Sequence, residues 1–244
     1  FIYRYWDRMN EKSYKNADEI ITISSVMKNV VSRNVESSKI NIIYPWVDTS
    51  FIKPIKKADN WFIEKHNLSE KKIVLYSGNM GATHDLMTPL KVAKEIHETN
   101  KEFHFLFIGD GVQKSLLMKY VAENRLRNVT FLPFQESEVL PYSFASADFG
   151  IVSLGAGAEG LSVPSKTFYF LAAGAVIIAI SEKGSEIEKI VSNNDCGISL
   201  ATGDVVKMSN FLKTIPKDKF EIKKENSRIL SEKFTVKNAK IFVK

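Results

Sequence analysis

With 244 residues, 44% of them hydrophobic and 25% charged, and a mean hydropathy of −0.12, the chain has the profile of a globular protein of one or two domains with a large buried core. No apolar run reaches the ~20 residues of a membrane-spanning helix, and the single cysteine, Cys196, excludes an intrachain disulfide and points to a reducing compartment, the cytoplasm. The net charge of +6 resides in the C-terminal segment, where residues 207–244 hold eleven Lys/Arg against four Asp/Glu; such a tail either lies against an anionic surface, such as the inner face of a membrane, or is a solvated helix face.

Residues 3–17 read as a lone amphipathic helix, residues 18–24 as a strand, 25–33 as a helix capped by Ser24, and 39–44 as a second strand that Pro45 ends. A βαβ fragment of this size is too small to be a domain. Because the chain opens on Phe1, residues 1–46 are expected to be the C-terminal remnant of a preceding domain, and a leader is unobservable.

A regular alternation begins at Lys72. Strands are predicted at 72–77, 103–108, 129–132, 149–153, 176–180 and 197–200, with helices at 86–98, 116–124, 137–146, 185–192 and 205–215. Continuous apolar strands separated by amphipathic helices make βαβ units, so the expected fold is α/β, a doubly wound parallel sheet covered on both faces. In that architecture ligands bind outside the C-terminal strand ends, in the loops that lead into helices.

Three of those loops are distinctive. In 77-SGNMGATH-84, two glycines with Asn and Thr allow backbone N–H groups close to an anion, or make an ordinary turn; neither a Gly-Lys-Ser/Thr loop nor a full GxGxxG is present. Gly109-Asp110-Gly111 suits a tight turn that shapes a cleft. The third, 159-EGLSVPSKTFYFLAAG-174, puts Pro164 at the first helical position, Gly174 at the left-handed position past the end, and Ser165 and Lys166 in the first turn. A cation there opposes the helix dipole. Either Lys166 reaches out to solvent, or an anion such as a diphosphate sits between it, Ser165 and the free amides.

The succession ADEIITIS, KINIIYPWVD, VLYSGNMG, FLFIGDG, NVTFLPF, ADFGIV, VPSKTFYFLAAGAVIIA and SEIEKIV resembles, over essentially the whole chain, the retaining GT-B glycosyltransferases of family 4, and within them bacterial enzymes of capsule and O-antigen synthesis. The resemblance implies a Rossmann-like donor domain at residues 47–225, an acceptor-domain remnant at 1–46, and a crossover helix at 226–244. It implies a hexosyl transfer from a nucleoside-diphosphate sugar, UDP-linked by family habit, to a lipid-linked saccharide, with no cofactor, metal or nucleic acid required. Gly78, Asn79, Gly81, His84, Ser165 and Lys166 would then hold the diphosphate, Pro133, Phe134 and Gln135 would line the base pocket, and Glu159 with Lys166 would serve catalysis. The glutamate pair common in the family is absent, its positions being Leu161 and Tyr169, so Tyr169 enters the substrate site in place of a carboxylate. The first loop has Asn79 and His84 where Arg and Lys are usual, which leaves Lys166 as the principal cation.

Two other readings have their own requirements. A GT-B epimerase needs paired acid/base carboxylates, for which only Glu159 is available. A non-catalytic dinucleotide-binding module needs GxGxxG and an acidic residue about 20 positions on. His66, His97 and His104 are given no role, and Trp6, Trp46 and Trp61 are expected to pack at a domain junction.

Overall fold

The computed structural model describes residues 2–155, 157–158 and 162–243. Helix α1 (Ile2–Asn16) precedes a small unit of β1 (Ile20–Thr22), α2 (Ser25–Val31) and β2 (Ile40–Ile42), whose strands pair in parallel with Ile20 opposite Ile40. A short α3 (Trp61–Lys65) leads into β3 (Lys72–Ser77), α4 (Met87–Ile96), β4 (Phe103–Ile108), α5 (Lys114–Glu123) and β5 (Val129–Leu132). Then come α6 (Leu140–Ala145), β6 (Phe149–Ser153), α7 (Lys166–Ala173), β7 (Val176–Ile180), α8 (Glu186–Asn193), β8 (Gly197–Leu200), α9 (Val205–Thr214) and α10 (Lys217–Ser231).

The last six strands form one parallel sheet in the order β5-β4-β3-β6-β7-β8. The chain winds outward from β3 in one direction and from β6 in the other, so the crevice at their C-terminal ends is a topological switch point. Successive side chains point to opposite faces, and both faces are covered. Ile73, Leu75, Leu106, Val152, Ile177 and Ala179 pack with α7 and α10. Val74, Tyr76, Phe105, Phe107, Ile151, Val176 and Ile178 share the other layer with residues of α4 and α9. Two buried faces explain why these strands read as unbroken apolar runs.

Helix α7 is fixed from three sides. Phe170 lies on Gly150, where an added Cβ would stand 2.4 Å from the ring carbon Cγ. Phe168 meets Phe234 edge-on at 4.9 Å, and Phe144 packs against Tyr169 at 5.0 Å and Phe170 at 5.1 Å. At the far end Gly174 adopts φ 73°, ψ 30°, as expected, and the Gly174 and Ala175 amides close the helix on the carbonyls of Leu171 and Phe170. The Arg228 guanidinium donates to the Ala172 carbonyl in the last turn at 3.2 Å.

One buried carboxylate ties the small N-terminal unit to the large sheet. Glu186, at the start of α8 and 3% exposed, accepts from Ser25 Oγ at 2.7 Å, the Val26 amide at 3.1 Å and the Tyr44 hydroxyl at 2.7 Å. It therefore sits at the N-termini of two helices at once, where the dipoles of both favour a negative charge. Ser24 caps α2 by accepting from the Met27 amide, as its sequence position predicts.

Several boundaries differ from expectation. Helix α7 starts at Lys166, with Pro164 and Ser165 in a tight preceding turn that takes the Thr167 and Phe168 amides. One continuous helix, α10, crosses the break expected between residues 225 and 226, and a 3-10 run at Val236–Val243 follows in place of a single helix over 226–244. The lysines at 217, 219, 223 and 224 obscure the apolar spacing of that helix. The short α3 was not expected, and β1 and β2 are shorter than predicted. Trp61 packs against Tyr142 at 5.4 Å, whereas Trp6 is 59% exposed and so does not pack as expected.

Gly150→Ala is expected to destabilise the protein by about 1–3 kcal/mol, because the new methyl forces the Phe170 ring off the sheet. Denaturant unfolding of the two proteins measures the difference, and a loss within error would contradict the close packing of α7 on β6.

Candidate functional site

Outside the C-terminal ends of β3 and β6 lies a cleft of about 580 Å³, lined by residues from three segments. Ser77, Gly78, Asn79 and His84 come from the loop after β3, and Ser162 to Lys166 with Tyr169 from the segment entering α7. Leu140, Phe144 and Leu154 supply an apolar wall.

Lys166 dominates its electrostatics. The Nζ atom is buried, has no hydrogen-bond partner among the described residues, and lies 3.9 Å from the centre of the Tyr76 ring. Burial lowers its pKa from the usual lysine range to about 7. The aromatic face provides a cation–π contact of about 2 kcal/mol when desolvated, less than the hydration the ammonium gives up. Gly78, with φ 138°, makes room for the amine: a Cβ there would stand 3.1 Å from Nζ. The backbone angle favours glycine, and a Cβ would in addition crowd the lysine tip.

Hydrogen bonds hold the Gly78 loop rigidly. The Tyr76 hydroxyl donates to the Asn79 carbonyl, and His84 Nδ1 lies 2.8 Å from that hydroxyl and 3.0 Å from the same carbonyl. A carbonyl can only accept, so Nδ1 carries the proton. Burial and the nearby Lys166 hold the imidazole below the ordinary histidine range, so His84 is neutral with Nε2 as an acceptor. Gln113 Nε2 donates to the carbonyls of Gly81 and, at 2.8 Å, His84. Asp85 accepts from the Thr88 and Gly203 amides at 3.0 Å each, and its own amide donates to Ser153 Oγ at 2.8 Å. The Asp110 carbonyl receives the Met80 amide at 2.7 Å, and a Cβ at Gly109 would collide with the Gly78 carbonyl at 2.1 Å. The Gly109–Gly111 turn therefore supports the first loop from below.

Of the residues singled out in the sequence, Gly78, Asn79, His84, Ser165, Lys166 and Tyr169 meet in this cleft. Gly81 does not line it; its carbonyl fastens the loop to Gln113. Pro133, Phe134 and Gln135 follow β5, two strands from Gly78, and are also outside the lining. The Phe134 ring nevertheless reaches back over Gly109, 3.2 Å from where a Cβ would be, and is 57% exposed. Glu159 and Leu161 lie outside the described residues. Tyr76, Asp85, Gln113 and Ser153 were not anticipated. A tyrosine at the inward end of a buried strand was the one available signal, because a buried hydroxyl needs a partner.

Lys166→Met is expected to stabilise the ligand-free protein, by about 1–3 kcal/mol. The folded-state pKa is below the unfolded one, so the penalty is fully present below pH 7 and is relieved as pH rises from about 7 toward 10.5. Thermal unfolding of both proteins at acid and alkaline pH measures this; equal stability at acid pH, or a gap that widens with pH, would contradict it.

Residues 71–218 match the family model described as Glycosyl transferases group 1. The probable glycosyltransferase WbjE of Pseudomonas aeruginosa is 28% identical over 217 residues, 87% of this chain and 53% of that protein. The putative colanic acid biosynthesis glycosyl transferase WcaI of Escherichia coli K12 is 28% identical over 178 residues, 72% of this chain and 43% of that protein. This chain thus spans about half the length of these relatives. Among solved structures, that of Anabaena Alr3699/HepE in complex with UDP superposes with a TM-score of 0.80 at 14% identity, over 94% of this chain and 64% of that one. With more than half of its residues under the family model, the chain belongs to the glycosyl transferases group 1 family.

Proposed function

We propose that this chain is the donor-binding part of a GT-B glycosyltransferase that takes a hexose from a UDP-sugar and transfers it, with retention, to a lipid-linked saccharide in bacterial surface polysaccharide synthesis. The observation that carries the reading is the Lys166 amine, buried and without a partner among the described residues at the switch point of the sheet. A diphosphate there supplies the missing counter-charge, and binding it restores the ammonium that burial disfavours. The Ser165 and Lys166 amides, for which the described residues supply no acceptor, face the same anion at the head of α7.

The sign of the charge change gives Lys166 its chemical role. As the glycosidic bond to the β-phosphate breaks, negative charge grows on the departing diphosphate, and a cation held in a dry site stabilises that charge more than the ground state. His84, neutral with Nε2 as an acceptor, suits a sugar hydroxyl better than a phosphate oxygen. The Gly78 and Gly109 turns form a continuous shelf toward Phe134, along which the nucleoside extends with its base against that exposed ring. Tyr169 borders the site, so the ribose is held there without a carboxylate from that position.

Support for UDP comes from the HepE complex, and for polysaccharide synthesis from the name given to WcaI. Residues 1–46 then represent the end of an acceptor domain. Catalysis needs an acceptor side of the cleft as well as the donor side. No described helix is long and apolar enough to cross a membrane, and we place the enzyme on the cytoplasmic side, with the basic tail near anionic lipid.

Calorimetric titration with UDP, GDP, uridine and NAD is the test. UDP is expected to bind; silence from every nucleoside diphosphate, or preference for NAD, would refute the reading. Lys166→Ala is expected to weaken UDP by about 1.5–3 kcal/mol and uridine far less, whereas equal losses would remove Lys166 from the diphosphate site.

A further inference from the structure

At the opposite end of the sheet, below the N-terminal ends of β3, β4 and β5, lies a second cavity of about 620 Å³. Its wall carries Lys71, Lys101, Arg125 and Arg127 against a single acidic residue, Glu98, which is itself engaged by His97 at 2.9 Å. No ion pair neutralises Lys101, Arg125 or Arg127 among the described residues. Lys71 donates to the Lys101 carbonyl at 2.9 Å, which keeps its ammonium at the cavity with no acid attached.

Two further features set this wall apart from a solvated basic surface. Asn128, 7% exposed, donates through Nδ2 to the Ala93 carbonyl at 2.9 Å, which leaves its Oδ1 buried without a partner. Arg125 occupies the left-handed position after α5, with φ 52°. Glycine or asparagine normally fills that position, and a longer side chain costs about 1 kcal/mol. Arg125 and Arg127 both line the cavity, and the planar fork of a guanidinium matches the oxygens of a phosphate.

We propose that this cavity binds a phosphate monoester or diester that carries a free hydroxyl, the chemistry shared by a soluble sugar or glycerol phosphate and by a glycerophospholipid headgroup. The cationic rim takes the phosphate, and the hydroxyl lies against the wall that Asn128 helps to form. The volume suits a small molecule or a single headgroup. This site is independent of the Lys166 cleft, so its test does not depend on what that cleft binds.

The test follows backbone amide resonances of the labelled full chain during titration with glycerol 3-phosphate, alongside co-sedimentation with vesicles of phosphatidylglycerol in phosphatidylcholine. Shifts at Lys101, Arg125 and Asn128, with an affinity that Arg125→Ala/Arg127→Ala lowers about tenfold or more, establish the soluble source. Co-sedimentation that the same double substitution abolishes, without a soluble response, establishes the headgroup. Unchanged melting temperature in the variant keeps either loss attributable to the site. The proposal is overturned if neither probe acts at these residues, or if the double substitution leaves binding unaltered.

Discussion

The burial of the Lys166 amine at the head of α7, with no hydrogen-bond partner among the described residues, is the constraint on which the candidate site depends. Lys166 enters the first turn of α7, where the helix dipole disfavours it, and comes to rest over Tyr76 close against Gly78. Such an arrangement is costly in the empty protein. It persists because α7 cannot retreat: Phe170 lies on Gly150, Phe168 meets Phe234, and Arg228 holds the helix's far end. A diphosphate bound there, as proposed, would relieve the tension between a rigid helix and the buried cation at its head.

The same helix joins the candidate site to the chain's extremities. Its C-terminal carbonyl is bound by α10, and its aromatic face touches Phe234, whose carbonyl receives the Val47 amide at the exit from the N-terminal unit. Glu186 makes a second connection from β7's following helix to Ser25, Val26 and Tyr44. Both links lie on the side of the cleft formed by the second half of the sheet. The first half, with Gly78 and Gly109, is locked by its own loop contacts through Gln113 and Asp110. A ligand across the switch point therefore bridges two separately braced halves.

The six strands of the sheet were legible at their observed bounds because burial on both faces writes them as continuous apolar runs, and the turns between them carry Gly and Asp. Helix ends were less legible. Helix α10 is obscured by its run of lysines, two of which are partly buried, Lys223 against Asp195 and Lys224 over Phe220, and the start of α7 depends on a tight turn at Pro164 that spacing alone does not fix. In the site, Lys166 stood out because a cation in the first turn opposes the helix dipole, and Gly78 because paired glycines after a strand let the backbone approach closely. Asp85, Gln113 and Ser153 obey every local rule, so nothing in their spacing marked them; only the tertiary fold brings their polar atoms to the loop.

The most direct measurement of the central claim is the titration of the Lys166 side-chain nitrogen itself, followed by heteronuclear magnetic resonance with and without UDP. The account predicts a midpoint near 7 in the free protein and a rise when the diphosphate is bound, because the anion stabilises the ammonium. A midpoint in the ordinary lysine range in both states would mean that the amine is solvated and takes no part in holding the donor.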